Sequence, residues 1–255
     1  MGRNMDYGNQ AGKSTRKMAA KRRLITNLIL LGVVIVAGVF IFAVQNWQAV
    51  GLSGGTVIAL LVFLRILPDF LDKPIRKRVK EEKRADRGAD AEEVVGDILQ
   101  TLSNDYFVLH DIPSPYGNID HIVIGKNSGV FLVETKAHGG KVEVSEAGLL
   151  VNGHQPEKDF IAQALKNTYW LREKIEKAIG VKVWIKPIVV FTNAFVPHSK
   201  PLKGVTVLNR KFLKAALENP ASSNTGLEKV WESKLQIWKT LLAAGEQNTK
   251  VEREK

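Results

Sequence analysis

Residues 118–136 read Asn118-Ile-Asp-His-Ile-Val-Ile-Gly-Lys-Asn-Ser-Gly-Val-Phe-Leu-Val-Glu-Thr-Lys136. Two apolar, β-branched runs are separated here by Lys-Asn-Ser-Gly, a typical turn sequence, so the stretch predicts two neighbouring strands. Asp120 falls near the start of the first strand, and Glu134 and Lys136 fall at the end of the second. Because residues two apart share a face of a strand, Glu134 and Lys136 point to the same side. The two strands therefore carry a polar cluster in an otherwise apolar setting.

This cluster has the side chains that a metal-dependent phosphodiester hydrolase needs. Two carboxylates can hold Mg²⁺ or Mn²⁺ through hard oxygen ligands, while a nearby ammonium group polarises water or the scissile phosphate. The Glu-x-Lys spacing alone is not specific, because it recurs at Glu81/Lys83 and Glu232/Lys234. Those copies lie in a charged linker and in a helical pattern, so the strand context distinguishes the copy at Glu134.

The pattern of elements around these strands predicts an α/β (α+β) domain with a mixed central sheet flanked by helices. A helix is expected over Asp90–Asn104, before the strands, and a longer one over Glu157–Ile179, ending at Gly180. The expected strands are 106–112, 119–125, 129–136, 141–145, 148–152, 183–192 and 205–208. Helices are also expected over 210–217 and 227–244, and the last ten residues are polar and predicted to fray.

The apolar residues of the chain are concentrated near its beginning. Residues 24–64 contain no charged side chain, and Leu24–Val44 is long enough to cross a bilayer as a helix. A second run at 50–67 is close to that length, so a transmembrane hairpin is predicted, with Trp47 at the interface opposite the flanks. A cleaved signal peptide is the competing interpretation of the first run. Its apolar stretch is too long for that, and no small-x-small cleavage site follows.

The net charge of +11 belongs mainly to the flanks of this hairpin. Residues 1–23 and 65–87 hold 16 of the 37 basic and 6 of the 26 acidic residues, so 21 and 20 remain elsewhere. Positive flanks favour a cytoplasmic position for both ends and contact with anionic lipid. The rest of the chain is almost neutral, so affinity for nucleic acid would need a local patch and a metal. The absence of cysteine excludes disulfides and thiolate metal sites.

The sequence thus divides into a basic cytoplasmic tail at 1–23, the hairpin at 24–67 (about 24–44 and 50–67), a charged linker at 68–87, a soluble domain at 88–217 that carries the candidate site, and a C-terminal amphipathic helix with a polar tail at 218–255. Two more residues are candidates for the site. Glu92 lies beside the apolar arc of its predicted helix, whereas Glu93 faces water. Gln163 lies on the helix after the strands, with Lys166 and Asn167 one turn further on.

The chain resembles the nuclease-related domain (NERD) family of the PD-(D/E)XK nuclease superfamily over residues 88–190. The resemblance rests on Gly88-Ala-Asp-Ala91-Glu92, Asn118-Ile-Asp120-His, Val133-Glu134-Thr-Lys136 and Gln163-Ala, in that order. Ala91 and Asn118 depart from the family's glycine and glutamine, and Asn-Pro is missing before Gln163. The resemblance implies a restriction-endonuclease-like fold and hydrolysis of nucleic acid, with DNA favoured. It also implies that Asp120 and Glu134 hold Mg²⁺ or Mn²⁺, that Glu92 assists through water or a second metal, and that Lys136 orients the attacking water.

Simpler roles remain open for each residue. Asp120 can start a strand in a turn, Glu134 can form a buried salt bridge with Lys136, Glu92 can be a solvated first-turn acid, and Gln163 can lie on the surface. The histidines show no zinc spacing, and no structural metal is expected. Gly51-Leu-Ser53-Gly-Gly55 matches a serine-hydrolase elbow, but it falls in the predicted hairpin rather than between a strand and a helix.

Two other functions compete with the nuclease. The first is a non-catalytic binding or scaffolding module of the same fold held at the membrane, which the near-neutral domain favours. The second is a membrane assembly protein whose hairpin mediates oligomerisation.

Overall fold

The computed structural model describes residues 7–8, 10–46, 53–145, 148–197, 201–219 and 226–253. The chain forms two units, a helical one at Thr15–Asp86 and a second one made of Met1–Ser14 with Arg87–Lys255. We call the second the sheet unit, because it contains the strands of the central sheet.

The helical unit consists of α1, Lys13–Gln45, and the part of α2, Gly54–Gln100, that precedes Arg87. Among the described residues, Lys13–Ala43 is the one helical segment long and apolar enough to cross a membrane, with a mean hydropathy of 2.8. Large apolar side chains of α1, such as Val34 and Phe42, are exposed. A helix with so much exposed apolar surface needs a non-aqueous or protein partner.

Within the described residues, the second apolar run does not reach the length of a membrane span. Gly54–Phe63 is a shorter apolar stretch at the start of α2, which continues to Gln100. The predicted linker at 68–87 is therefore helical throughout, and the helix expected from Asp90 begins much earlier. Lys, Arg, Glu and Ala favour helix strongly, and each proline in the run removes only one backbone donor. Trp47 and Val50–Leu52, which belong to the predicted hairpin, lie outside the described residues.

The serine of the Gly-x-Ser-x-Gly match precedes a helix. The hydroxyl of Ser53 accepts a hydrogen bond from the backbone N–H of Thr56 at 3.3 Å, at the start of α2. That is the role of a helix cap rather than of a nucleophile on a strand-to-helix turn.

Ion pairs connect α1 and α2 within the helical unit. Arg23 lies 2.8 Å from Glu82 and 3.0 Å from Asp86, and Arg22 lies 3.8 Å from Glu81. Exposed pairs of this kind contribute little to stability. They do neutralise part of the positive charge from which the cytoplasmic orientation was predicted.

The sheet unit is built on a mixed sheet of six strands in the order β1-β2-β3-β4-β6-β7, with β5 paired to the far half of β4. The pairs β2/β3 and β3/β4 are antiparallel, whereas β4/β6 and β6/β7 are parallel. The strands are β1 Tyr7–Gly8, β2 Tyr106–Ile112, β3 Ile119–Gly125, β4 Gly129–Ser145, β5 Gly148–Val151, β6 Ile185–Phe195 and β7 Thr206–Asn209.

Helices cover both faces of this sheet, which confirms the predicted α/β class. On one face, Leu132 of β4 packs in a cluster with α3 (Phe160–Ile179), α5 (Leu227–Glu232) and α6 (Lys234–Arg253). On the other face, Phe131 packs with the last turns of α2 and with α4 (Leu213–Glu218), which follows a 3₁₀ turn at Arg210–Phe212. Central strands covered on both sides are continuously apolar, as β3 and the first half of β4 are.

The limits of β2 and β3 match the prediction, but later elements differ. The strands expected at 129–136 and 141–145 are one strand, because Gly139 and Gly140 pair with β6 instead of forming a turn, and the β4/β6 register shifts just before them, between Lys136 and Gly139. The helix expected at 227–244 is divided at Ser233 into α5 and α6. Residues 246–253, predicted to fray, continue α6, and Glu146 and Ala147 of a predicted turn lie outside the described residues.

The N-terminal segment belongs to the sheet unit and is not only a basic tail. β1 pairs in parallel with β2. Ser14 donates to the carboxylate of Asp111 through its backbone N–H at 3.0 Å and through its hydroxyl at 2.6 Å. A Cβ added to Gly96 would lie 2.8 Å from that of Ala11, so the segment packs tightly on α2. The carboxylate of Asp111, from another part of the chain, thus caps the start of α1.

Candidate functional site

The two carboxylates predicted from the strands are brought side by side by the β3/β4 pairing. His121 of β3 is paired with Val133 of β4. In this antiparallel register, Asp120 and Glu134 are the residues next to that pair on the two strands. The backbone N–H of Thr135 donates to Oδ2 of Asp120 at 2.6 Å. This bond fixes the Asp120 carboxylate against β4 next to Glu134.

Lys136 lies at the same place and has three different neighbours. Its Nζ is 2.7 Å from Oε1 of Glu134, 3.4 Å from Oε1 of Gln163 and 4.7 Å from the centre of the Phe160 ring. The Glu134 side chain is 3% exposed and that of Lys136 is 13% exposed. The ion pair is therefore shielded from water, where a charge interaction is strongest.

One oxygen of Glu134 has no such partner. Oε2 is buried and accepts no hydrogen bond from any part of the chain that the structure describes. A buried carboxylate oxygen without a partner is costly, and such atoms mark places where an unseen group binds. The group that fits an anionic oxygen next to a second carboxylate is a cation.

The electrostatics of Asp120 indicate the same need for positive charge. Burial raises the pKa of Asp120 well above its usual value, and the charges of Glu134 and then Glu92 raise it further. Lys136 and the Thr135 N–H act in the opposite direction but do not compensate. Three acids thus share one lysine, and the anionic form of Asp120 is destabilised.

Glu92 reaches this cluster from α2, within the sheet unit. Its charge acts on Asp120, and its side chain is half-buried. Glu93, predicted to face water, is also half-buried, so exposure does not separate the two glutamates. The structure brings Glu92 towards the strand acids, as the helical wheel predicted.

Gln163 joins the site in spite of the missing Asn-Pro before it. Asp159 caps α3 by accepting from the N–H of Ala162, and this sets the helix so that the Gln163 amide reaches Lys136. Asn167, one turn further along α3, is fully buried and bonded to Ser114. Lys166 is exposed.

The donor set suits a hard divalent ion with few protein ligands. Among the described residues, no group of three or more His, Asp and Glu side chains is arranged to hold a metal. His121 turns to His110 instead, with 2.7 Å between their Nδ1 atoms. Mg²⁺ usually binds through one or two carboxylates and keeps several waters. Asp120 and Glu134, whose Oε2 has no hydrogen-bond partner among the described residues, fit that mode.

Several neighbours of the site were not predicted. Phe160 lies under the Lys136 ammonium, and its ring also contacts His138 at 5.2 Å between ring centres. Asn118 was noted only as a family departure, but its amide donates to Asp111 at 2.6 Å and to the Ser14 hydroxyl at 2.8 Å. These contacts depend on how separate elements pack together, so the spacing of the residues in the sequence does not predict them.

A mixed sheet with helices on both faces, with Asp on one strand and Glu-x-Lys on the next, defines the PD-(D/E)XK-like class of nuclease folds. Residues 87–192 match the family model described as nuclease-related domain. The match covers the sheet from β2 to the middle of β6 and all five candidate residues. The chain has no significant match among the curated proteins or among the solved structures that were compared.

Proposed function

We propose that the sheet unit is a metal-dependent nuclease that hydrolyses phosphodiester bonds of nucleic acid, with DNA as the expected substrate. The observation that supports this most directly is the orphaned Oε2 of Glu134 beside Asp120. The family match supports a nuclease-like fold, and the site supplies the chemistry.

Charge balance explains why a metal is needed. The charges of Glu134 and Glu92 each act on Asp120 more strongly than the opposing charge of Lys136, so a phosphodiester approaching Asp120 would meet a negative potential. The rest of the chain outside the basic flanks carries about as many acids as bases and cannot compensate. A divalent cation held by Asp120 and Glu134 would reverse the sign of the site.

The residues then take separate roles. Asp120 and Glu134 would hold Mg²⁺ or Mn²⁺, and Glu92 would assist through a water molecule or a second ion. The bound metal would polarise the phosphate and lower the pKa of a water molecule. Lys136, held by Glu134 and Gln163, would orient that water for attack. Because the Lys136–Glu134 pair is shielded from solvent, it would limit the access of other water molecules to the site.

A cleavage assay tests this function. The full-length protein in detergent micelles is incubated with labelled DNA and either Mg²⁺ or EDTA. We expect metal-dependent cleavage that falls by at least about 100-fold in Glu134→Gln and Lys136→Met. Glu143→Gln is the matched control, since Lys141 and Glu143 form an exposed pair of the same spacing on the same strand, 3.0 Å apart. Cleavage undiminished in Glu134→Gln would refute the assignment.

We further propose that α1 and the apolar start of α2 form a hairpin that anchors the nuclease in a membrane, with both basic flanks on the cytoplasmic side. The proposal is supported by the length and hydropathy of Lys13–Ala43 and by its exposed apolar side chains. Flotation with lipid vesicles should be lost when Leu31 and Val34 are both changed to Arg, but not in Leu235→Arg, a change at an exposed leucine of the sheet unit. Retained flotation in the double variant would refute anchoring by α1.

The orientation has its own test. Because the chain contains no cysteine, a single one introduced as Met18→Cys can be labelled selectively. A membrane-impermeant maleimide should leave it unlabelled in intact cells and label it after permeabilisation. Labelling in intact cells would contradict the cytoplasmic position of this flank.

A non-catalytic binding module of the same fold is the second candidate. It is favoured by the ion pair between Lys136 and Glu134, which already satisfies half of the Glu134 carboxylate. Such a module would bind no divalent metal at millimolar concentration, and Asp120→Ala would leave DNA-independent functions unchanged.

A further inference from the structure

The turn between β2 and β3 presents an exposed aromatic ring on a rigid support. Tyr116 is 50% exposed, although it lies in a turn that is held by buried polar groups. Its backbone N–H donates to the hydroxyl of Ser114 at 3.1 Å, and the N–H of Gly117 donates to the Ser114 carbonyl at 3.3 Å. The conformation of the turn is therefore fixed by hydrogen bonds around Ser114.

Two helices, α6 and α3, pack against this turn. A Cβ added to Gly245 of α6 would lie 3.0 Å from the ring of Pro113, so that helix packs closely against the start of the turn. Asn167 of α3 is fully buried and lies 2.6 Å from the Ser114 hydroxyl. That hydroxyl has one proton, which it donates to the carbonyl of Gly117. The Asn167 amide must then point Nδ2 towards Ser114, which also provides the partner that this buried nitrogen otherwise lacks.

The turn also borders the candidate site. A side chain at Gly117 would start 3.8 Å from Nε2 of Gln163, and Oε1 of the same glutamine is 3.4 Å from Nζ of Lys136. Tyr116 is thus one residue from the point where the turn meets the site. The Ser114–Asn167 network therefore holds an exposed aromatic ring in a fixed place beside the site.

We propose that Tyr116 stacks on a nucleobase next to the scissile phosphate, and that the substrate is single-stranded at this position. The inference rests on the proposed nuclease function. An aromatic side chain can stack only on a base whose face is free, which is the case in single strands and not inside a duplex. The recessed carboxylates agree with this, because a single strand can bend a phosphate towards Glu134, which is 3% exposed.

Charge supports the same choice of substrate. Outside the two basic flanks the chain holds 21 basic and 20 acidic residues. Affinity from phosphate contacts alone would therefore be small. Stacking gives affinity that does not depend on net charge.

Binding without cleavage tests the proposal. The full-length protein in detergent micelles, with Ca²⁺ in place of Mg²⁺ so that a divalent ion is present without turnover, is titrated into a fluorescein-labelled 20-nucleotide single strand and into the duplex of the same sequence, with anisotropy as the readout. We expect Tyr116→Ala to weaken single-strand binding by about tenfold. Tyr116→Phe keeps the stacking ring and should bind like the parent. Tyr169→Ala is the matched control, since Tyr169 is a similarly exposed tyrosine, at 57%, on α3.

Each outcome decides the proposal. Loss of single-strand affinity in Tyr116→Ala alone, with the parent preferring the single strand, supports it even if the parent fails to cleave, and in that case only the nuclease function fails. Equal single-strand binding by Tyr116→Ala and the parent overturns it, even if metal-dependent cleavage is present. A parent that binds the duplex as tightly as the single strand, or that binds neither, also overturns it.

Discussion

The backbone N–H of Thr135 donates to Oδ2 of Asp120 across 2.6 Å, and this bond joins the two strands that carry the acids. The donor belongs to the backbone, so the position of the Asp120 carboxylate depends on the β3/β4 register rather than on any neighbouring side chain. Glu134 and Lys136 flank Thr135 on the same strand. The geometry of the site is therefore set by strand pairing, before any metal or substrate binds.

Asp120→Asn should stabilise the metal-free protein at neutral pH. The folded-state pKa of Asp120 is raised, so the folded form holds its proton more tightly than the unfolded form. For such a group, stability decreases as pH rises from the unfolded pKa to the folded pKa, and the full cost is present above the folded value. Asn removes this cost and can still accept from Thr135. Thermal unfolding in EDTA should show a higher Tm for Asp120→Asn at pH 8 and no difference at pH 3.

A variant that melts at or below the parent temperature at pH 8 would contradict the electrostatic account of Asp120. Adding Mg²⁺ is the internal control. The ion should raise the Tm of the parent by mass action and should have much less effect on the variant.

Lys136→Met should destabilise the fold, because it leaves the Glu134 carboxylate buried without its cation. Removing one partner of a buried pair costs about 3–5 kcal/mol. Lys141→Met is the matched control, since its pair with Glu143 on the same strand is exposed, and its loss should cost at most about 1 kcal/mol. Urea unfolding followed by tryptophan fluorescence measures both. Equal costs in the two variants would show that the Lys136 pair is not shielded.

Gly96→Ala should loosen the N-terminal segment. Alanine is usually favoured over glycine in a helix by about 1 kcal/mol, but a Cβ at this position would lie 2.8 Å from the Cβ of Ala11. We expect faster trypsin cleavage near Lys13 in this variant. Gly38→Ala in α1, where an added Cβ meets nothing within 4 Å, is the control and should be cleaved like the parent. Equal cleavage of Gly96→Ala and the parent would contradict the packing of this segment on α2.

Local periodicity was enough to predict part of the site. Asp120, Glu134 and Lys136 follow from two apolar runs and the two-residue repeat of a strand, and β2 and β3 have the predicted limits. The use of glycine as a turn signal failed where two glycines lie inside a long, paired strand. Gly139-Gly140 signalled a turn, but β6 pairs with β4 on both sides of it.

Contacts that depend on how a helix is rotated on the sheet could not be predicted in this way. Asn167 lies one turn from Gln163, and nothing in that spacing indicates that it is buried against Ser114. The bond between Ser14 and Asp111 joins residues 97 positions apart, and nothing in either local sequence indicates the other. Only the folded chain shows that the N-terminal segment is part of the sheet unit.

Calorimetric titration of Mn²⁺ into the full-length protein tests the central claim most directly, because the claim is that Asp120 and Glu134 hold a divalent ion. We predict saturable binding of Mn²⁺ at or below about 1 mM, lost in Glu134→Gln and retained in Glu143→Gln. Absence of binding to the parent at millimolar Mn²⁺, or equal binding by Glu134→Gln and the parent, would contradict the account.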